Sequence, residues 1–376
     1  MKKIAFVVQR YGEEVNGGAE QHCRQVAERL TDKFNVEVIT TCAKDYYSWK
    51  NEYESGVCKL NKVTVHRFKV DYERNKKKFD QKSSEIFGID HLLCDEDEWM
   101  KLQGPYSSEL LDFIYYNKDR YHKFIFFTYL YATTYYGLPL VQNKAILVPT
   151  SHDEPPIYLD IFEKFFHMPS DIFYNTPEEK KFITKKFTNS HIKNLIVGIG
   201  FDIPKNVDAK RFRKKYGIRE KFILYVGRID ESKGCKQLFD YFIRYKKLNK
   251  GNLSLILMGK EEMKIPKHKS IISLGFVSDL DKYDGMAAAQ ALINPSKYES
   301  FSMVLLEAMA VGTSVIVNGN CEVLKGHVER SGNGSIYTDY DDFVECLSRD
   351  INFNNKYINQ FNWRNIIKKY CKAIGY

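Results

Sequence analysis

The stretch Ala291-Leu-Ile-Asn-Pro-Ser-Lys-Tyr-Glu-Ser-Phe-Ser-Met-Val-Leu-Leu-Glu-Ala-Met-Ala310 reads as a short apolar strand ending at Asn294, a loop, and an apolar helix beginning near Ser302. A strand this short and this apolar suits a parallel sheet covered on both faces. The same alternation surrounds it: Phe222 to Val226, Leu253 to Met258, Ile271 to Leu274 and Ser314 to Val317 read as strands, with helical segments such as Cys235 to Lys247 between them. An earlier series starts at Ile4 to Val8, passes a loop with Asn16-Gly17-Gly18, and enters a helix whose Cys23, Val26, Ala27 and Leu30 form one apolar stripe. Strands follow at Val36 to Thr40, Val63 to Val65, Lys123 to Thr128 and Ala145 to Val148. This pattern predicts an α/β chain of two doubly wound, Rossmann-like domains facing across a cleft, with ligands beyond the carboxyl ends of the strands. We place the domains at residues 1–200 and 201–354, joined near Gly198 to Pro204, with a helix over 355–376 packing back on the first. Residues 70–104, with Lys76-Lys-Lys78 and Asp95-Glu-Asp-Glu98, read as a solvated insertion.

Composition narrows the class. With 376 residues, 44% of them hydrophobic, the chain can build real cores and is not an intrinsically disordered sequence. Its formal charge is +9, yet residues 1–200 hold 28 basic and 28 acidic side chains, so the whole excess falls in the second half. The eight cysteines show no C-x-x-C spacing, which points to thiols in a reducing cytosol rather than a disulfide or metal framework. The apolar run Ile4 to Val8 is too short for a signal peptide, and Phe124 to Asn143 is broken by Gly137-Leu-Pro139, so a cytoplasmic protein is expected. Asp95-Glu96-Asp97, a D-x-D pattern, is read as solvent-facing rather than as a metal site.

Three segments carry chemistry. Glu299 lies in the loop before a helix and Glu307 within it, eight positions on. On a helix that separation is about 12 Å, close to the length of a sugar diphosphate with its ribose. Between them, beside Ser300, the N–H groups of Phe301, Ser302 and Met303 would open the helix toward an anion. Glu307 sits among Leu305, Leu306, Ala308 and Met309, a setting in which an unpaired carboxylate is costly. A second segment, Gly227-Arg228-Ile-Asp-Glu-Ser-Lys233-Gly234, follows a strand; Gly227 admits close backbone approach, and Arg228 and Lys233 are cations suited to a departing diphosphate. The third is His152-Asp153, directly after another strand end.

These residues resemble the retaining glycosyltransferases of family 4, which have the GT-B fold. The E-x7-E motif is matched by Glu299 and Glu307, the G-R-x-x-x-x-K-G segment by Gly227, Arg228, Lys233 and Gly234, and the N-terminal glycine loop by Gly17-Gly18-Ala19-Glu20. The resemblance implies that Arg228 and Lys233 bind a donor diphosphate, Glu307 the ribose, and Glu299 the transferred sugar. It further implies that Gly17 and Gly18 close over donor and acceptor, and that His152, with Asp153 in support, hydrogen-bonds a sugar hydroxyl or the acceptor side of the reaction. One departure is Ser302, where the family commonly has glycine; its side chain is expected beside the sugar.

The implied reaction moves a sugar from a nucleotide-sugar donor to a glycan or lipid-linked acceptor, without a metal or other cofactor. The setting is bacterial surface-polysaccharide or lipid-linked glycan assembly at the inner face of the membrane, touched peripherally through exposed bases such as Lys180, Lys181, Lys185 and Lys186. Competing readings are a sugar-nucleotide epimerase, a glycan phosphorylase and a non-catalytic nucleotide-sugar-binding protein. No recognised module supports nucleic acid as a partner.

Overall fold

Strands apolar on both faces cannot meet water on either, and the chain buries them in two separate sheets. The computed structural model describes residues 1–15, 17–349 and 356–376. They divide into Met1–Gly198 with Ile366–Tyr376, and Ile199–Asn365. The first unit contains β1 (Lys3–Val7), β2 (Asn35–Thr41), β3 (Gly56–Leu60), β4 (Val63–Phe68), β5 (Lys123–Phe127), β6 (Ala145–Val148), β7 (Asp171–Tyr174) and β8 (Lys193–Ile196). They form one sheet in the order β3-β4-β2-β1-β5-β6-β7-β8. Every neighbouring pair is parallel except β3 with β4. The second unit contains β9 (Phe222–Val226), β10 (Ser254–Met258), β11 (Ile271–Ser273), β12 (Ala291–Asn294), β13 (Ser314–Asn318) and β14 (Gly334–Tyr337), ordered β11-β10-β9-β12-β13-β14 and all parallel.

In each sheet the strand order reverses once, between β1 and β5 and between β9 and β12. Loops leaving the carboxyl ends at such a point diverge and open a crevice for ligands. β3, β7, β8 and β14 escape the periodicity reading, being short and, for β3, largely exposed. Residues 70–104 are not a solvated insertion. They contain two helices, Lys76–Ile86 and Leu93–Gln103, whose Ile86, Trp99 and Met100 are buried in the first core. Glu96, expected in solvent, is buried and accepts hydrogen bonds from the Asp160 and Ile161 N–H groups at 3.1 and 2.8 Å. Charge in the sequence masked the apolar stripe on these helices.

The units part at Gly198/Ile199, two residues before the expected junction, and the expected boundary at 354/355 lies outside the described residues. The last helix is Trp363–Ile374. Its Tyr370 packs edge-on against Phe173 at 5.4 Å, and Lys369 Nζ donates to the Ile196 and Val197 carbonyls at 3.2 and 2.9 Å. The eight cysteines are free thiols, and among the described residues no helix is long and apolar enough to cross a membrane.

Close backbone approach shapes the edge of the second sheet. A Cβ on Gly259, after β10, would lie 1.9 Å from the Gly227 carbonyl oxygen, and Gly259 has φ +145°. No other residue fits there. Gly259→Ala is therefore expected to cost at least about 2 kcal/mol in urea denaturation, whereas Gly251→Ala, in open space, stays within about 0.5 kcal/mol. Equal stability of the two variants would contradict this packing.

Candidate active site

The loops after β9 and β12 bring the two predicted segments of the second unit together. Asp230 organises the first: its Oδ1 accepts from the Lys233 N–H at 2.8 Å and from Ser232 Oγ at 2.6 Å, a turn that leads Lys233 back toward the sheet. Gly234, at φ +77°, lies so close to Pro295 that a Cβ would be 2.3 Å from its carbonyl oxygen. That approach seats Lys233 beside the second loop, where its Nζ meets Glu299 Oε1 at 2.8 Å. The Glu299 charge raises the Lys233 pKa, so the ammonium is held charged. Arg228, half exposed, lies 3.5 Å from Asp230 Oδ2 and 3.9 Å from Glu262 Oε2.

Glu307 is 6% exposed and carries an asymmetric set of partners. Its Oε1 meets Lys282 Nζ at 3.1 Å and the Tyr283 hydroxyl at 2.9 Å, while its Oε2 is buried and has no hydrogen-bond partner among the described residues. Burial and the adjacent Glu307 push the Tyr283 phenol far above its ordinary range, so it acts as a donor. A buried carboxylate oxygen without a donor is costly, and hydroxyl groups of a ligand would supply what it lacks.

The helix after this loop spans Met303–Ala310 with Ser302 as its cap, so its first free N–H groups begin about two residues later than Phe301. Phe301 is buried, and its carbonyl accepts from His327 Nε2 at 2.9 Å. Burial lowers the His327 pKa to about 3. The ring is therefore neutral, with Nε2 protonated and Nδ1 free to accept from the Tyr357 hydroxyl at 2.7 Å. The Ser302 hydroxyl turns inward to Asn294 at 3.0 Å, which corrects the expectation that it stands beside a sugar. Ser300 and Met303 are half-buried at this loop.

The remaining predicted residues belong to the first unit. Gly17 precedes the helix Gly18–Leu30, and a Cβ on Gly17 would run into Glu20, which is buried in an ion pair with Arg10 at 2.5 Å. A Cβ on Gly18 would meet nothing. His152 follows β6, but its acid is Glu154, at 3.2 Å; Asp153 is exposed and accepts from Tyr158 at 2.7 Å. Asp153 therefore does not support His152. Two β-branched residues at neighbouring strand ends, Thr128 and Thr150, hold φ of +63° and +50°. Strain of that kind collects where a loop must present a particular surface. Gln9, Thr128 and Asn175 are buried at the carboxyl ends of β1, β5 and β7, and Gln9 Nε2 and both amide atoms of Asn175 lack partners.

Residues 208–355 match the family model for glycosyl transferases group 1. That match falls within the second unit. The chain is 27% identical to an uncharacterised glycosyltransferase of Methanocaldococcus jannaschii over 355 residues, 87% of this chain and 83% of the relative. Its fold resembles sucrose-phosphate synthase from Thermosynechococcus elongatus, with TM-score 0.71 and 17% identity over 99% of this chain and 98% of the other. It also resembles Anabaena HepE, solved in complex with UDP and glucose, with TM-score 0.67 and 15% identity over 100% and 99%. The α/β fold is thus the GT-B type, and the family match and relatives support a glycosyltransferase.

In the second unit, sequence reasoning missed Lys282, Tyr283, Asn294 and His327. Each acts through a buried contact that leaves no local pattern. In the first unit it missed Gln9, Thr128, Asn175 and Glu179. Glu179 sits three residues after the cap Thr176 and is fully enclosed. Its Oε1 accepts from the Ser151 N–H at 2.7 Å and its Oε2 from the Asn175 N–H at 2.6 Å, tying the loops after β6 and β7 together.

Burial raises the Glu179 pKa from 4.5 to about 7, against the pull of those N–H groups. Between these values the folded chain keeps a proton that the unfolded chain has released; below both, each state carries it, and above both, neither does. Stability from this group is thus greatest below pH 4.5 and is lost as pH rises through about 7. Glu179→Gln removes the titration. The stability of the wild type relative to this variant should fall by on the order of 2 kcal/mol between pH 4.5 and 7.5 in denaturant melts, and a difference independent of pH would contradict the assignment.

Proposed function

We propose that this chain is a retaining glycosyltransferase of family 4 that moves a sugar from a nucleotide-sugar donor to an acceptor hydroxyl. The observation that most supports the reading is Glu307, which offers one buried, unpartnered oxygen at the strand-order reversal of a group 1 glycosyl transferase domain. A carboxylate oxygen can accept from both hydroxyls of a ribose. Arg228, Lys233 and the N-terminus of Met303–Ala310 would then take the diphosphate, and Glu299 the sugar hydroxyls. HepE with bound UDP makes UDP-sugars the first donors to try.

A double displacement needs a carboxylate nucleophile about 5 Å from its partner acid. Glu299 is committed to Lys233, and Glu307 to Lys282 and Tyr283. We therefore favour substitution on one face: the bond from the anomeric carbon to the phosphate oxygen breaks, the acceptor oxygen bonds to that carbon on the same side, and the acceptor proton passes to the departing phosphate. Arg228, Lys233 and the helix dipole supply the positive charge that this departure requires, so no metal is called for. Gln9, Thr128, Asn175 and His152, on the first sheet's edge, are the groups we assign to the acceptor.

Surface-glycan or lipid-linked assembly at the inner membrane face is the setting we propose. Of the bases expected to touch the membrane, Lys181 and Lys185 are exposed, whereas Lys180 is half-buried and Lys186 pairs with Glu163 at 3.3 Å. Only the first two suit that role.

A nucleotide-sugar panel with and without acceptors tests the activity through acceptor-dependent release of nucleoside diphosphate. Isomerised donor would mark an epimerase, and binding without turnover a non-catalytic protein. Lys233→Ala should lower kcat at saturating donor by on the order of 100-fold; unchanged turnover would remove the leaving-group role. Product with the donor's anomeric configuration supports retention, and the opposite configuration overturns it.

A further inference from the structure

The cap residue Ser302 has φ +63° and ψ +75°, a left-handed conformation that a serine adopts only where its surroundings hold it. The surroundings that do so centre on Asn294, the last residue of β12, whose side chain is buried. Asn294 Oδ1 accepts from the Ser296 N–H at 3.0 Å. A backbone N–H can only donate, so this contact fixes the orientation of the amide and leaves Nδ2 to donate to Ser302 Oγ, also at 3.0 Å. One buried amide thereby fastens both ends of the segment that carries Glu299. Asn318 and His327 hold the same segment from outside, through the Pro295 carbonyl at 3.0 Å and the Phe301 carbonyl at 2.9 Å.

We propose that Asn294 and Ser302 are coupled positioning residues. The serine hydroxyl serves the amide, and the pair imposes the left-handed turn that a glycine would adopt without help. Through that turn it aims the first N–H groups of Met303–Ala310 and sets Glu299 against Lys233. An asparagine at the end of an otherwise apolar strand thus has a reason that lies eight residues further along. The proposal rests on the donor-site reading for its functional consequence, and on geometry alone for the coupling.

The test uses the full chain as wild type, S302G, S302A, N294L, N294A and N294L/S302A. Binding of UDP, ADP and GDP is followed by calorimetry and donor KM by turnover, with melting temperature as the control for folding. Glycine tolerates the turn, so S302G should stay within about twofold of wild type in affinity, whereas S302A, strained and without its anchor, should lose about fivefold or more. N294L should resemble S302A, and the double variant should add little to either. Should N294L not fold, N294A removes the same amide groups without added bulk, and the same loss is expected. Equal losses in S302G and S302A would mean that the hydroxyl touches the ligand and would overturn the proposal, as would unchanged affinity in both Asn294 variants. If the wild type binds none of the nucleotides, the donor-site reading fails and the coupling is read by hydrogen exchange over residues 299–304. Faster exchange in S302A and N294A than in S302G supports it, and equal exchange overturns it.

Discussion

A carboxylate kept from water must find donors for both its oxygens, and Glu307 has found them for one. Much of the second unit is arranged around that imbalance. Lys282 and Tyr283 come from the helix Asp279–Ala288, and the single Tyr283 hydroxyl proton lies within reach of both Glu307 Oε1 and the Asp202 carbonyl, each 2.9 Å from the phenol oxygen. The loop carrying Glu299 is fastened at its ends and along its length by buried amides and a neutral imidazole. The result is a polar edge held by rigid contacts, which is what selective recognition of a polar ligand requires.

The first unit follows the same rule with different chemistry. Glu179 ties two strand-end loops through their N–H groups, and its burial favours the protonated form. The strained threonines and the unmatched amides of Gln9 and Asn175 gather at the carboxyl edge of that sheet. Each sheet thus carries strained or unmatched polar groups at its carboxyl edge, and the apolar strands behind them supply rigidity.

The sequence made the alternation of strand and helix legible, because fully buried parallel strands must be short and apolar. It also made Glu299, Glu307, Arg228 and Lys233 legible, since charged residues beside glycine at strand ends stand out against such a background. What stayed hidden depends on contacts between distant positions. Nothing near Lys282 or His327 announces a partner 24 to 26 residues away. The Ser302 departure from glycine was visible, but its meaning was not, because Asn294 reads only as the end of a strand. Glu96 shows the converse error, in which charge was equated with exposure although backbone N–H groups satisfy it in the interior.

The claim on which the account depends is that the unpartnered oxygen of Glu307 receives ribose hydroxyls. Calorimetric titration with a nucleoside diphosphate and with its 2′,3′-dideoxy counterpart tests it directly. The dideoxy compound should bind more weakly by on the order of tenfold or more, since hydrogen bonds to a buried charge are lost. The difference should vanish in Glu307→Gln if that residue alone reads the ribose. Equal affinity of the two nucleotides for the wild type would contradict the account.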